Sequence, residues 1–267
     1  MTIGFIGCGN MAQPIIRSII DKNLFISNDV YIFDTDADKL ADFCKQTGAV
    51  ALSSEHEIAN TCDCVFLCIK PQGFDALLKK ISADLNHNKP LIVSIAAGKT
   101  ISFIEKYLDN ARVGRVFPNL NAAVCQACSA FCVNDACSES DKMLIERICS
   151  CFGTALFYPE EMFSQFGVLG GCSPAYTFMY IASLAKAAQM NGMNPQTALQ
   201  TAIQAVLGSA LYMQQSGIDP EILIDRVCSK GGTTIEGVNI LRDNHLDTLV
   251  SDAYNASLRR DKELSEN

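Results

Sequence analysis

The chain of 267 residues is long enough for one large domain or two ordinary ones, and 49% hydrophobic against 19% charged residues excludes a disordered polymer. A net charge of −8 and a pI near 4.9 exclude a general affinity for nucleic acid, whose phosphates demand a basic face. No apolar run reaches the roughly eighteen residues of a membrane-crossing helix, and Thr2 leads straight into IGFIG with no secretory signal, so a cytoplasmic protein without a membrane partner is expected.

The first element in chain order is a short apolar strand that runs into GFIGCGNMA, Gly4 to Ala12. Met11, Ile15, Ile16, Ile19 and Ile20 then recur at helical spacing. A strand DVYIFD ends at Asp34, and DADKLADFCKQTG reads as a helix closed by Gly48. A strand CDCVFLCIK, a helix GFDALLKKI, a strand PLIVSIAAG and a helix TISFIEKYL follow. Strands ARVGRVFP and CSAFCVN, a helix from about Ser138 to Cys151 and a strand TALFYP complete the alternation. Short apolar strands between helices predict an α/β domain over 1–159, a mostly parallel, doubly wound sheet of Rossmann type covered on both faces.

In that setting Gly7-x-Gly9-x-x-Ala12 follows a strand and opens a helix, as a dinucleotide-binding turn requires. Gly7 permits the turn, Gly9 lets the backbone approach a pyrophosphate, and Ala12 keeps the helix close to the sheet. The helix start adds free N–H groups and a positive dipole end. Asp34, at the tip of the second strand, is the acidic residue expected to bond the ribose hydroxyls. A carboxylate there repels a 2′-phosphate, and DTDADKL offers no Arg to offset it, with Lys39 five residues on. NADH is therefore favoured over NADPH within an NAD(P)H reading.

From Glu160 the alternation stops, and 160–267 reads as an all-α domain of successive amphipathic helices. Ser173-Pro174, Asn194-Pro195 and Asp219-Pro220 mark helix starts, each an N-cap residue followed by Pro, while Gly192 and Gly217 mark ends. The helix from Asn194 to Ser216 is apolar around most of its girth, so a partner subunit is expected to cover it. Thirteen cysteines, an odd number scattered through apolar stretches such as CDCVFLC, read as reduced, buried thiols rather than a disulfide framework. Cys125, Cys128 and Cys132 lie far in sequence from His56, His87 and His245, and no metal is expected.

Several stretches together resemble the pyrroline-5-carboxylate reductase family over essentially the whole chain. They are GFIGCGNMA, CIKPQ (Cys68 to Gln72), SIAAG (Ser94 to Gly98), RVFPN (Arg115 to Asn119), SPAY (Ser173 to Tyr176) and CSKGGTTIEGV (Cys228 to Val238). The chain departs from the family pattern at Cys172 and Ser173 (GGCSPAY for SGSGPAY), at Asn121, and at Lys230, where Pro usually precedes GGTT. The resemblance implies a Rossmann domain followed by a helical domain that intertwines two subunits into a homodimer or larger homo-oligomer. It implies hydride transfer from NAD(P)H to the C=N bond of a small cyclic imine carboxylate, the last step of proline biosynthesis.

On that resemblance the cofactor is expected against Ile6, Gly7, Cys8, Gly9, Asn10, Met11 and Asp34. Ile69, Lys70 and Pro71 of CIKPQ are expected to join them, with Lys70 near a phosphate or the nicotinamide. Ile95, Ala96 and Ala97 of SIAAG are expected against the nicotinamide ribose, where only small residues leave room. The substrate is expected against Glu160, Ser173, Gly231, Gly232, Thr233 and Thr234, with the hydroxyl of Thr234 facing the ring nitrogen as the catalytic group. A Gly-rich helix start is a natural carboxylate site. Three other readings of the same layout are a β-hydroxyacid dehydrogenase, a reductase of another cyclic imine and a silent dinucleotide sensor. For the first, Lys186 lies on the long helix but AAQMNG after it lacks the paired-Asn motif; for the last, the intact KGGTTIEG argues against loss of activity.

Overall fold

The structure, a computed structural model, describes residues 1–265. It divides into two compact units, Met1–Gly171 together with the chain from Arg260, and Cys172–Arg259. Residues 160–171, which the sequence groups with the helical half, thus cluster with the sheet; Phe163 among them is 2% exposed in its core.

Alternation along the strands decides the first unit. In β1 (Ile3–Ile6), Ile3 and Phe5 point to one core and Ile6 to another. In β4 (Cys64–Leu67) and β5 (Leu91–Ser94), Phe66 and Val93 join the first core, and Val65, Leu67 and Ile92 the second. Helices α1 (Ala12–Asp21), α2 (Ala37–Thr47) and α6 (Glu139–Cys151) supply the first core with Ile15, Phe43 and Ile145. Helices α3 (Glu55–Thr61), α4 (Phe74–Asn88) and α5 (Ile101–Glu105) supply the second with Ile58, Leu78 and Ile104. A sheet buried on both faces needs continuous apolar strands, and that is what the sequence has.

With β2 (Val30–Phe33), β3 (Val50–Ala51), β6 (Val113–Phe117), β7 (Ala127–Val133) and β8 (Gly153–Phe157) the sheet has eight strands in the order β3-β2-β1-β4-β5-β6-β7-β8. Every pairing is parallel except β6 with β7. The register sets Phe33, Ile6, Leu67 and Ser94 in one row, so β2, β1, β4 and β5 end together. The order reverses at β1 and β4, where open α/β sheets bind ligands. Two elements escape the sequence reading: β3, only two residues long, and α3, capped by Ser54, whose side chain accepts the Glu57 N–H.

A helical path continues from α7 (Phe163–Gly167) through a π turn at Val168–Cys172 into α8 (Ser173–Met190). Cys172 keeps helical dihedrals (φ −90°, ψ −34°), so Ser173 does not cap a helix start as its Ser-Pro pair predicts; Pro174 lies in the first turn of α8, where a missing N–H costs least. The resulting helix, Glu160–Met190, is long and apolar enough to cross a membrane by length and composition alone, which corrects the expectation that no stretch is. In the second unit α8 is followed by α9 (Pro195–Ser216), α10 (Pro220–Val227), α11 (Thr233–Asp243) and α12 (Leu246–Ser265). Asn194 accepts the N–H groups of Gln196 and Thr197, Asp219 accepts that of Glu221, and Gly217 closes α9 at φ +62°, as the sequence predicts. The buried core of this unit consists of Ala185, Ala198 and Ala202.

Candidate functional site: a dinucleotide cradle and a glycine-rich helix start

The β1–α1 turn is built around two glycines with different jobs. Gly7 takes φ +102°, and a Cβ there would lie 2.6 Å from the Cys68 carbonyl oxygen, so only glycine fits between β1 and β4. Its N–H donates to the Phe33 carbonyl at 2.7 Å, tying the turn to the end of β2. A Cβ on Gly9 would meet nothing within 4 Å, so the missing side chain leaves bare backbone facing open space. Met11 precedes α1 without offering a side-chain acceptor; the Gln13 N–H is spent on the Gly9 carbonyl at 3.1 Å and Pro14 has none, so an anion here is left the N–H groups ahead of Gln13. Ala12 is 1% exposed and seats the helix on the sheet. An open, glycine-lined edge beneath an uncapped helix start fits a dinucleotide pyrophosphate.

Asp34 follows β2 directly, and its carboxylate is already in use. One oxygen accepts the Cys8 N–H at 2.6 Å and the Lys39 ammonium at 2.9 Å, and the other accepts the Asp36 N–H at 2.9 Å. Burial opposes the charge on Asp34, but the two amide donors and Lys39 outweigh it and hold the carboxyl below its usual range. Burial also opposes the Lys39 charge, and Asp34 more than restores it. The sequence offers no Arg here and sets Lys39 five residues on; in the structure Lys39 reaches back and pairs with Asp34. The neighbouring Cys8 thiol is pushed up to about 11 by burial and by Asp34, so it stays protonated at neutral pH.

The remaining cofactor candidates lie beyond β4 and β5, along the edge that the sheet register creates. Lys70 is exposed at φ −65°, ψ 145°, and Pro71 opens a short 3₁₀ turn to Gly73. Ile69 packs against the second core, as does Ile95 against the first. Ala96 is 5% exposed, Ala97 is exposed, and Gly98 turns the chain at φ +71°. The structure therefore brings all the cofactor candidates to the carboxyl ends of four adjacent strands, β2, β1, β4 and β5.

Glu160, expected against the substrate, has two partners within the first unit. It accepts the Arg115 guanidinium and the Ile101 N–H, both at 2.9 Å, and so ties β6 to the first residue of α5. Arg115 is 5% exposed and lies over the Phe163 ring at 4.9 Å. Asn119, just past β6, donates to the Gly170 carbonyl at 3.0 Å and so fixes the π turn. Sequence reasoning assigns no role to Lys39, Arg115 or Asn119. The available signal was positional: a Lys at the third helical residue beyond an Asp N-cap, and polar residues on or beside an apolar strand.

Ser173 and Gly231 to Thr234 belong to the second unit. Ser173 is half-buried in α8 and accepts the Thr177 hydroxyl on its carbonyl. Gly231 takes φ +71°, and Gly232 occupies the N-cap of α11 without a side-chain acceptor. Thr233 and Thr234 form the first turn and are exposed within this chain. The Gly232 N–H is turned back to the Ser229 carbonyl at 2.9 Å, so what this helix start offers a carboxylate is the N–H groups on either side of it and the two hydroxyls.

Comparison with known proteins agrees with both halves. Residues 2–98 match the family model described as NADP oxidoreductase, coenzyme F420-dependent, and residues 160–264 match pyrroline-5-carboxylate reductase dimerisation. The pyrroline-5-carboxylate reductase of Escherichia coli K12 is 35% identical over 264 residues, spanning 98% of each chain. A solved pyrroline-5-carboxylate reductase from Coxiella burnetii superposes with a TM-score of 0.94 at 30% identity, covering 100% of this chain and 99% of that one. The Plasmodium falciparum pyrroline carboxylate reductase, solved with NADP bound, shares the fold with a TM-score of 0.88 at 24% identity, over 99% and 98% of the two chains. The chain belongs to the pyrroline-5-carboxylate reductase family.

Proposed function

We propose that this chain reduces 1-pyrroline-5-carboxylate to L-proline with NAD(P)H, acting as a homodimer or larger homo-oligomer through its C-terminal helices in a reducing, cytoplasmic compartment. The observation that carries this reading is 35% identity to a pyrroline-5-carboxylate reductase over 98% of both chains. The dehydrogenase and sensor readings have no comparable support.

The bound dinucleotide supplies the hydride. Backbone from Ile6 to Met11 holds its pyrophosphate, Asp34 its adenosine ribose, Ile69 to Pro71 and Ile95 to Ala97 its nicotinamide half. The donors of Gly231 and Thr233 hold the substrate carboxylate at a turn that Gly232 shapes, its own N–H on the Ser229 carbonyl, and the Thr234 hydroxyl faces the imine nitrogen, with Ser173 as a further substrate contact. An iminium carbon is electrophilic already, so orientation and exclusion of water carry most of the rate. Glu160, tied to Arg115 and Ile101, acts by holding the start of α5 rather than by touching substrate. NADH is preferred, because Asp34 stands with Asp36 and Asp38 against the single charge of Lys39. Steady-state kinetics with 1-pyrroline-5-carboxylate and each cofactor test the reading; absence of imine-dependent oxidation with both cofactors sinks it.

A further inference from the structure

We infer that Lys39 is a specificity-determining residue of the dinucleotide site, shared between Asp34 and the 2′-phosphate of NADPH, so that it admits the phosphorylated cofactor to a site whose carboxylate favours NADH. The inference rests on the dinucleotide reading above and refines it. A carboxylate has about four acceptor positions. At Asp34 the Cys8 N–H, the Asp36 N–H and the Lys39 ammonium occupy three of them. The two hydroxyls of an unphosphorylated ribose need two. The backbone donors are fixed by the turn, so the ammonium is the group that gives way.

Lys39 is built to move at its head and not at its root. Its own N–H donates to the capping Asp36 carboxylate at 3.0 Å, which fixes the start of α2, while its side chain is 36% exposed. Other cations near this edge are held elsewhere. Arg17 donates to Gln46 at 2.5 Å and covers the Phe43 ring at 4.8 Å. Lys70 follows β4, which is separated from β2 by β1. A phosphate group beside Asp34 therefore meets the Lys39 ammonium first, and taking it up leaves Asp34 with both its amide donors.

Calorimetric titration with AMP and with adenosine 2′,5′-bisphosphate, which differ only in the 2′-phosphate, tests this without turnover. For Lys39→Gln the bisphosphate is expected to bind about tenfold more weakly, as for loss of one charge-assisted hydrogen bond, and AMP no more weakly than to wild type, since the ammonium that the ribose hydroxyls must displace is gone. Lys39→Arg, which keeps the cation, is expected to retain most of the wild-type affinity for the bisphosphate. Equal changes for both nucleotides in Lys39→Gln, or no change in either, overturn the role of Lys39 while leaving the dinucleotide reading standing. A wild-type protein that binds neither nucleotide, nor NADH and NADPH, overturns that reading and this inference with it.

Discussion

On the proposed function, substitutions at Asp34 and Thr234 bear most directly on the chemistry. Asp34→Ser removes the carboxylate and frees Lys39, so the ratio of kcat/KM for NADPH to that for NADH is expected to rise. Wild-type protein should show the lower KM with NADH; a tenfold wild-type preference for NADPH would mean that Asp34 does not read the ribose. The same carboxylate contributes to stability with a definite sign. Its folded pKa is lowered, so its contribution is complete above the unfolded value of about 4 and is lost as pH falls through the folded one. The Tm difference between wild type and Asp34→Ser should therefore shrink below about pH 4; a constant difference would show that the charge of Asp34 is not what stabilises the turn. Thr234→Val keeps the shape of an exposed first-turn residue of α11 and removes its hydroxyl. A lost hydrogen bond to a desolvated polar substrate should cost about 1–3 kcal/mol, roughly 5- to 150-fold in kcat/KM. Unchanged kinetics would take Thr234 out of the mechanism.

Elements act through how their ends are fastened, and the ion pair of Glu160 with Arg115 is the fastening that the sequence hides. Removing one partner of a fully buried pair costs about 3–5 kcal/mol. Glu160 is 25% exposed, so Glu160→Gln, which also keeps an acceptor for the Ile101 N–H, should lose less than that in urea unfolding. Its KM for the imine should stay within a few-fold of wild type; a large rise in KM at unchanged stability would return Glu160 to the substrate. The contrast with α6 shows why some fastenings are legible. Its capping box, Ser138 with Asp141, is local in sequence, so the start of that helix is readable from a few letters. Helix α3 carries a similar local signal at Ser54 but spans only seven residues, too few for a periodic pattern. The Arg115–Glu160 bond joins residues 45 apart, and Lys39 meets Asp34 only because α2 folds back over the end of β2. The glycine turn was legible because each glycine answers a backbone demand; the charge beside it was not, because side-chain pairing is tertiary.

At the scale of the whole molecule the outstanding fact is an apolar surface on the second unit. Leu199, Ile203, Leu207 and Leu211 recur every fourth residue along α9 and are 45%, 45%, 49% and 40% exposed within one chain. That spacing makes a ridge of the type that packs into the groove of a neighbouring helix. Among the described residues the buried core of the same unit is three alanines with Ile181 and Ala188 packed against them, so helix packing inside one chain leaves most of the larger side chains uncovered. On α8, Phe178, Met179 and Leu184 are exposed as well. A surface of this kind on a monomer marks an interaction site, and the match of residues 160–264 to a dimerisation domain names the family's use for it. The interface between two copies is expected to be obligate and hydrophobic, burying well over about 2,000 Å². Folding is then coupled to association, so the unfolding midpoint should rise with protein concentration. Sedimentation should find no monomer in dilute solution, and Ile203→Lys, which sets a charge in the middle of the ridge, should yield monomer or aggregate with loss of activity. A wild-type monomer that is stable and active in dilute solution, with a midpoint independent of concentration, would show that the ridge on α9 is not what holds the assembly together.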